Sequence, residues 1–440
     1  TIVNKYLPIK DKKIGILGAA KSGIAAANLA QQLKAKIFIS DINELSENNI
    51  DKFPHELGNH SDKILDCDII IKSPGIPNDA NILKKIIKSN IPIISEVEFA
   101  SWFTNGYIIA LTGTNGKTTT VNLINHILSK NNYFSKLGGN VGIPFSINVL
   151  DELKNKYNER IYHVLELSSF QLEDIKYFKP DISIILNISP DHLDHHKNFN
   201  NYLKSKIRIS MNQDKKGYAI LNDNNLFDIH SNSKAKKIRF KVSNDNEFFI
   251  NDKKISFYNL KKSFTGKHNY ENILSAILVC KTLGLNDKQI INSINSFKVL
   301  HHRLELLNVK SDKLFYNDSK ATNLNATCVA IESISSNIIL ILGGIDKNDS
   351  DFKILEKYKD KIVNIICYGK SSKVIKKKLN GIYNIEQIEK FEKAISKSLE
   401  LANKDDCILL SPACASFDQF KNYKERGNCF KNIIKSYYEK

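Results

Sequence analysis

The residues best suited to chemistry lie in one short run. Thr112 to Thr120 reads TGTNGKTTT, between the apolar stretch YIIAL and the helical run VNLINHILSK. A glycine-rich turn from a strand into a helix presents backbone N–H groups and the positive end of the helix dipole to an anion. Gly113, Thr114, Asn115, Gly116, Lys117, Thr118 and Thr119 therefore form an expected phosphate loop. Lys117 would reach the β- and γ-phosphates and the Thr118 hydroxyl would ligate Mg²⁺, so ATP binding is expected. Leu111 stands where the first glycine of the usual G-x-x-x-x-G-K-[ST] spacing would be, so the loop is a shortened one anchored by Gly113 and Gly116.

Three further constellations are less decisive. Gly18-Ala-Ala-Lys-Ser-Gly23 follows an apolar strand, and Asp41 ends the next strand 23 positions after Gly18. This is dinucleotide-fingerprint spacing with Ala20 at the middle glycine, which leaves an NAD enzyme open. Asp191 to His196 (DHLDHH) invites a zinc reading, but its spacing fits no standard template, and helix capping or exposure accounts for most of it. Lys206, in NYLKSKIRIS, reads by periodicity alone as a solvated lysine on an amphipathic helix.

The G-T-N-G-K-T-T loop resembles that of the Mur ligase superfamily, whose members join amino acids to cell-wall precursors. LELSSFQLE (165–173), TGKHNYEN (265–272), HHRLE (301–305), NDSKATN (317–323) and SPACASFDQF (411–420) resemble the same family, in its order and over essentially the whole chain. The resemblance implies an ADP-forming amide ligase that adds D-glutamate to UDP-N-acetylmuramoyl-L-alanine through an acyl phosphate. It implies two Mg²⁺ sites built from Thr118, Glu166, His192 and Lys206, the last as a carbamate that converts a cation into an anionic oxygen ligand. Lys117, Glu166, His192, Lys206 and Lys320 would be the catalytic set. Asn269, Asn272, Arg303 and Asp318 would join the loop in holding ATP. Gly18, Lys21, Ser22, Asp41, Ser73, Gly75, Asn140 and His192 would hold the UDP substrate. Thr322, Lys347, Ser416 and Tyr423 would surround D-glutamate, Tyr423 standing where these ligases often carry phenylalanine. Ser416 also opens an S-x-x-Q capping box for the last helix, and Cys414 reads as a packed residue rather than a nucleophile.

These residues need parallel strands to carry them. Short apolar runs alternate with amphipathic helical stretches almost from end to end. They include KIGILG, KIFIS, DIIIK, YIIALTG, YHVLELS, DISIILNIS, NIILILGG, IVNIICYG and CILLSPA. That order is βαβ grammar and predicts an α/β fold of three domains. They are a Rossmann-like domain at 1–104, a P-loop-type mononucleotide-binding domain at 105–298 and a Rossmann-like domain at 299–440. Groups assigned to three domains must converge on one reaction, so hinges are expected near residues 105 and 298. The polar, β-prone region from Lys215 to Lys262 reads as an antiparallel appendage.

Composition narrows the class. Hydrophobic residues make up 42% and charged residues 25% of the 440 residues, with no run near the length of a membrane span. The first residues lack a secretory pattern, so a cytoplasmic protein with no membrane insertion is expected. The formal charge of +17 raises the question of nucleic acid. Only five of the 64 basic residues are arginine and acidic residues are interleaved throughout, so no nucleic-acid partner is expected. The seven scattered cysteines read as reduced thiols, and a monomer is the default expectation.

Overall fold

The computed structural model describes residues 8–44, 50–140, 142–191, 193–222, 233–243, 245, 247–256, 267–297, 301–346 and 350–438. Two of the expected site residues, His192 and Lys347, lie outside this set.

Three sheets carry the chain. The first contains β1 (Lys13–Leu17), β2 (Lys36–Asp41), β3 (His55–Leu57), β4 (Ile69–Lys72) and β5 (Ile93–Ser95), in the order β3-β2-β1-β4-β5 and parallel throughout. Continuous Ile and Leu runs form these strands because helices cover both faces of a parallel sheet. Every residue of IIIK in β4 is accordingly buried.

The second sheet contains β6 (Tyr107–Thr112), β7 (Ser135–Gly139), β8 (Tyr162–Glu166), β9 (Ile182–Ile185), β10 (Tyr218–Asn222), β11 (Lys236–Val242), β12 (Phe248–Ile250) and β13 (Lys253–Ile255). Its order is β13-β12-β11-β10-β9-β6-β8-β7. The antiparallel appendage expected over Lys215–Lys262 needs correction. β10 and β11 extend the parallel sheet, and only β12 and β13 turn antiparallel. Phe240 and Val242 are buried while the neighbouring lysines are exposed, so β11 shows the alternation of a one-sided strand although it runs parallel.

The third sheet contains β14 (Glu305–Leu306), β15 (Leu314–Asn317), β16 (Ile338–Gly343), β17 (Ile362–Tyr368), β18 (Ile385–Ile388) and β19 (Cys407–Ala413), in the order β14-β15-β19-β16-β17-β18. Only β14 pairs antiparallel.

The chain forms two compact units, one of residues 1–264 with 269–297 and one of 265–268 with 298–440. The first two sheets share the first unit, and one apolar cluster runs from Ile16 and Leu29 through Phe99 to Phe145 and Leu165. The junction near residue 105, where a hinge is expected, is bridged by this cluster and by hydrogen bonds. Glu98, fully buried on the Glu96–Ser101 helix, accepts hydrogen bonds from the backbone N–H of Lys176 (2.9 Å), Tyr177 (2.8 Å) and Phe178 (2.8 Å) and from Trp102 Nε1 (2.7 Å). Its neighbour Glu96 accepts from the backbone of Ser146. Trp102 caps the helix of Glu98 itself, so three of the four donors, the backbone N–H groups of Lys176, Tyr177 and Phe178, reach the carboxylate from across the junction and tie the two sheets together.

Among the described residues no helix is long and apolar enough to cross a membrane. All seven cysteines are unbridged, and only Cys429 is not buried.

Candidate active site

β6 delivers the phosphate loop at its C-terminal end, and the helix Lys117–Lys130 begins at once after Gly116. Gly116 takes a left-handed backbone (φ 81°), and a Cβ there would stand 2.2 Å from Asn272 Oδ1. Conformation and space both demand glycine. The loop is braced by Asn187, which no sequence pattern singled out. Its carbonyl accepts from Thr114 N and its Oδ1 from Asn115 N, each at 2.8 Å. The Thr114 hydroxyl meets Tyr202 Oη at 3.0 Å. Lys117 folds over the turn and donates to the carbonyls of Gly113 (2.9 Å) and Thr114 (2.8 Å). Thr119 follows in the first helical turn.

Beside this loop the ends of β7 and β8 and the helix Phe199–Ile207 bring four expected residues into one corner. Thr118 donates its hydroxyl to Glu166 Oε2 at 2.7 Å, and Asn140 donates its amide to Glu166 Oε1 at 3.1 Å. Asn140, expected beside the sugar-peptide substrate, is thus bonded to the carboxylate of this corner. Lys206 is not the solvated lysine of an amphipathic face. It is 2% exposed and donates to Gly113 O at 2.8 Å and Thr112 Oγ1 at 3.3 Å. Burial, and then the nearby charge of Lys117, push its pKa well below that of an ordinary lysine. The hydroxyl and carboxylate of Thr118 and Glu166 are hard oxygen donors, a set that fits Mg²⁺.

Asn272 packs on the loop from the Lys267–Thr282 helix, and Asn269 precedes it by one turn. The loop, the corner and these asparagines all belong to the first compact unit.

The UDP-binding set expected in the first sheet converges between β1 and β4, where the strand order reverses. That is the customary ligand crevice of an open parallel sheet. Gly18 takes φ 97°, and Ala19 N donates to Asp41 Oδ2 at 2.5 Å. Ser73 Oγ donates to Gly18 O at 3.3 Å. Lys21 and Ser22 open the helix Lys21–Gln32, whose N-cap Ala20 supplies no side-chain acceptor. Gly75 is exposed, with nothing near the place of a Cβ.

In the second unit the remaining residues gather at the C-terminal ends of β15 and β19. Asp318 accepts from Ser411 Oγ at 2.8 Å and from Leu304 N, next to Arg303, at 3.1 Å. Burial lifts its carboxyl to about 7, against the lowering influence of Ser411, the Leu304 amide and the Arg303 and Arg426 charges. Lys320 Nζ lies 4.2 Å from the centre of the Tyr423 ring. Thr322 precedes Asn323, which caps the helix Leu324–Ser333. Ser416 is buried, but the capping box expected there does not form. The last helix begins only at Tyr423, where Asn422 Oδ1 accepts from Lys424 N and Glu425 N, and the Gln419 side chain instead bonds Phe391 N and Glu389 O. Cys414 is buried, as a packed residue should be, and its carbonyl accepts from Arg426.

Residues 13–82 match the MurD N-terminal domain, 111–280 the Mur ligase middle domain and 302–414 the Mur ligase glutamate ligase domain. A UDP-N-acetylmuramoylalanine--D-glutamate ligase of Christiangramia forsetii is 38% identical over 97% of this chain and 99% of its own. The chain belongs to the Mur ligase family. A second relative of the same name, from Elusimicrobium minutum, is 40% identical over 98% of this chain and 99% of its own. Among solved Mur ligase folds, a pseudomurein peptide ligase type C of Methanothermus fervidus superposes with a TM-score of 0.60 at 17% identity, covering 97% of this chain and all of the other. The MurF ligase of Thermotoga maritima in complex with ADP superposes with a TM-score of 0.60 at 15% identity, over 98% and 96% of the two chains. The expected α/β architecture is thus that of a three-domain Mur ligase, an ATP-dependent, Mg²⁺-requiring family.

Proposed function

We propose that this Mur ligase adds D-glutamate to UDP-N-acetylmuramoyl-L-alanine, with ATP converted to ADP and phosphate, in peptidoglycan precursor synthesis. The observation that carries the reading is near-full-length identity of 38–40% to relatives that bear the name of that reaction. The residue roles below are our assignment.

The loop amides and the helix N-terminus at Lys117 hold the ATP phosphates, and Lys117 exchanges its two loop carbonyls for phosphate oxygens. Asn269 and Asn272 hold the nucleotide from one helical face, with Arg303 and Asp318 as further contacts. An oxygen of the alanyl carboxylate attacks the γ-phosphorus, and the bond from that phosphorus to ADP breaks. When bound, Mg²⁺ would supply charge neutralisation for these anions, and Thr118, Glu166, His192 and Lys206 as its carbamate would hold it. The D-glutamate amine then attacks the acyl carbon, the carbon–oxygen bond to phosphate breaks, and the nitrogen loses a proton. Lys320 lies with the reacting phosphate or carboxylate. Thr322, Lys347, Ser416 and Tyr423 orient D-glutamate, and the turn at Gly18 with Lys21, Ser22, Asp41, Ser73 and Gly75 holds the uridine diphosphate, while Asn140 faces the sugar-peptide part.

Lys206 as a carbamate has a physical basis in this chain. Carbamate formation requires an unprotonated amine, and burial beside Lys117 favours that form. The nitrogen lone pair attacks CO₂, a carbon–nitrogen bond forms as one carbon–oxygen π pair moves onto oxygen, and the nitrogen gives up one proton to water. The enzyme is assigned to the cytoplasm as a monomer.

Phosphate release by the purified chain with ATP, Mg²⁺ and UDP-N-acetylmuramoyl-L-alanine tests the reading. D-glutamate should support turnover and L-glutamate should not. Equal rates with both, or none with either, would overturn it.

A further inference from the structure

The histidine-rich stretch whose spacing matches no zinc template acquires its missing partner in the fold. Glu173 ends the short helix Ser169–Glu173, and His195 and His196 end the helix Leu193–His196. Nε2 of His195 lies 2.9 Å from Glu173 Oε2, and Nδ1 of His196 lies 3.0 Å from Glu173 Oε1. The ligand atoms of all three residues fall within 4.8 Å of one another. A four-coordinate ion with bonds of about 2.0–2.2 Å needs ligand atoms roughly 3.5 Å apart, inside the spread seen here.

A second observation points the same way. His196 is 3% exposed, yet its Nδ1 is buried without a hydrogen-bond partner, because the nearby carboxylate oxygen lies out of line. Its other nitrogen meets Ser169 Oγ at 2.9 Å, the outer contact that fixes the ring of a ligating histidine. Asn78, from the loop after β4, donates to Glu173 Oε2 at 3.0 Å while its own oxygen accepts from Lys72 Nζ at 2.6 Å. The amide is thereby oriented as a donor to the carboxylate.

We propose that Glu173, His195 and His196 form a binding site for a borderline transition-metal ion such as Zn²⁺, distinct from the corner at Thr118 and Glu166. Two imidazoles and one carboxylate suit such an ion and leave a fourth position for water, whereas Mg²⁺ prefers an all-oxygen shell. Occupancy would clamp the two short helices together beneath the loop that carries Ser73 and Gly75.

The test is titration of Co²⁺ into the metal-stripped full chain with Mg²⁺ in excess. One equivalent should bind with visible d–d bands and no thiolate charge-transfer band, and Zn²⁺ should displace it. Glu173→Gln and His195→Gln should each weaken binding more than about tenfold, while Glu166→Gln should bind as the parent does. Far-ultraviolet circular dichroism of the metal-free proteins checks folding. If Glu173→Gln fails to fold, His195→Gln, altered at a side chain 15% exposed, decides alone. Unchanged affinity in a folded His195→Gln chain, a thiolate band, or loss of binding in Glu166→Gln would overturn the proposal.

Discussion

Thr118 and Glu166 are 48 residues apart in sequence and 2.7 Å apart in space, hydroxyl to carboxylate, one in the first turn of the helix Lys117–Lys130 and the other at the end of β8. Two hard oxygens at the mouth of a phosphate loop form an acidic wall against which ATP-bound Mg²⁺ can rest. Glu166→Gln removes the charge and keeps the shape. Phosphate release should fall about 10²–10³-fold with the denaturation midpoint nearly unchanged. Undiminished turnover would remove Glu166 from the site.

Lys206 should take up CO₂. With ¹³C-bicarbonate and Mg²⁺ a carbamate carbonyl resonance is expected in the parent and none in Lys206→Met, whose turnover should fall together with the signal. A full-activity Lys206→Met chain would refute the assignment.

Gly116→Ala forces a side chain into a left-handed backbone and toward Asn272 Oδ1. The strain alone should cost about 1–2 kcal/mol, read as a lowered urea midpoint, and affinity for an ATP analogue should fall with it. Normal analogue binding by isothermal titration would show that the loop is not gripped there.

Asp318 makes the stability of the second unit depend on pH. Its carboxyl ionises near 3.8 in the unfolded chain and at about 7 in the fold. Between those values the folded state holds the extra proton. The stabilisation is therefore complete below about pH 4 and is lost as the pH rises through 7. Asp318→Asn should flatten the fall in urea midpoint between about pH 5 and pH 8. Parallel profiles for parent and variant would argue against the shift.

Glu98→Gln tests the fastening of the first two sheets. The new amide would face backbone donors that need an acceptor, at a cost of about 2–4 kcal/mol. Urea unfolding of the full chain measures it, and a change below about 0.5 kcal/mol would mean that the apolar cluster alone joins them.

Much of the fold was legible in sequence because strands buried on both faces of a parallel sheet are written as unbroken apolar runs. DIIIK and CILLSPA could hardly lie elsewhere. β11 was misread for the complementary reason: with one side wet, KKIRFKV alternates as an antiparallel strand does. The capping box at Ser416 failed because the chain continues as a turn until Asn422, a matter of where tertiary packing starts the last helix. In the site, the loop from Gly113 to Thr118 announced itself through local chemistry. Asn187 did not, since its role is to brace backbone from another strand end. Glu173 was equally silent, 22 residues before His195 and visible as its neighbour only after β9 has brought the chain back.

The three hydrogen bonds that Glu98 accepts from Lys176, Tyr177 and Phe178 set a ruler. The crevice at Gly18 and the loop at Gly116 sit on sheets joined by these bonds and by one apolar cluster, so in the proposed reading a substrate reaching from one to the other would be measured by a length set when the chain folds. Replacing the Glu98 carboxylate would then act like loosening one jaw of a calliper, while every group assigned to touch the substrate stays in place.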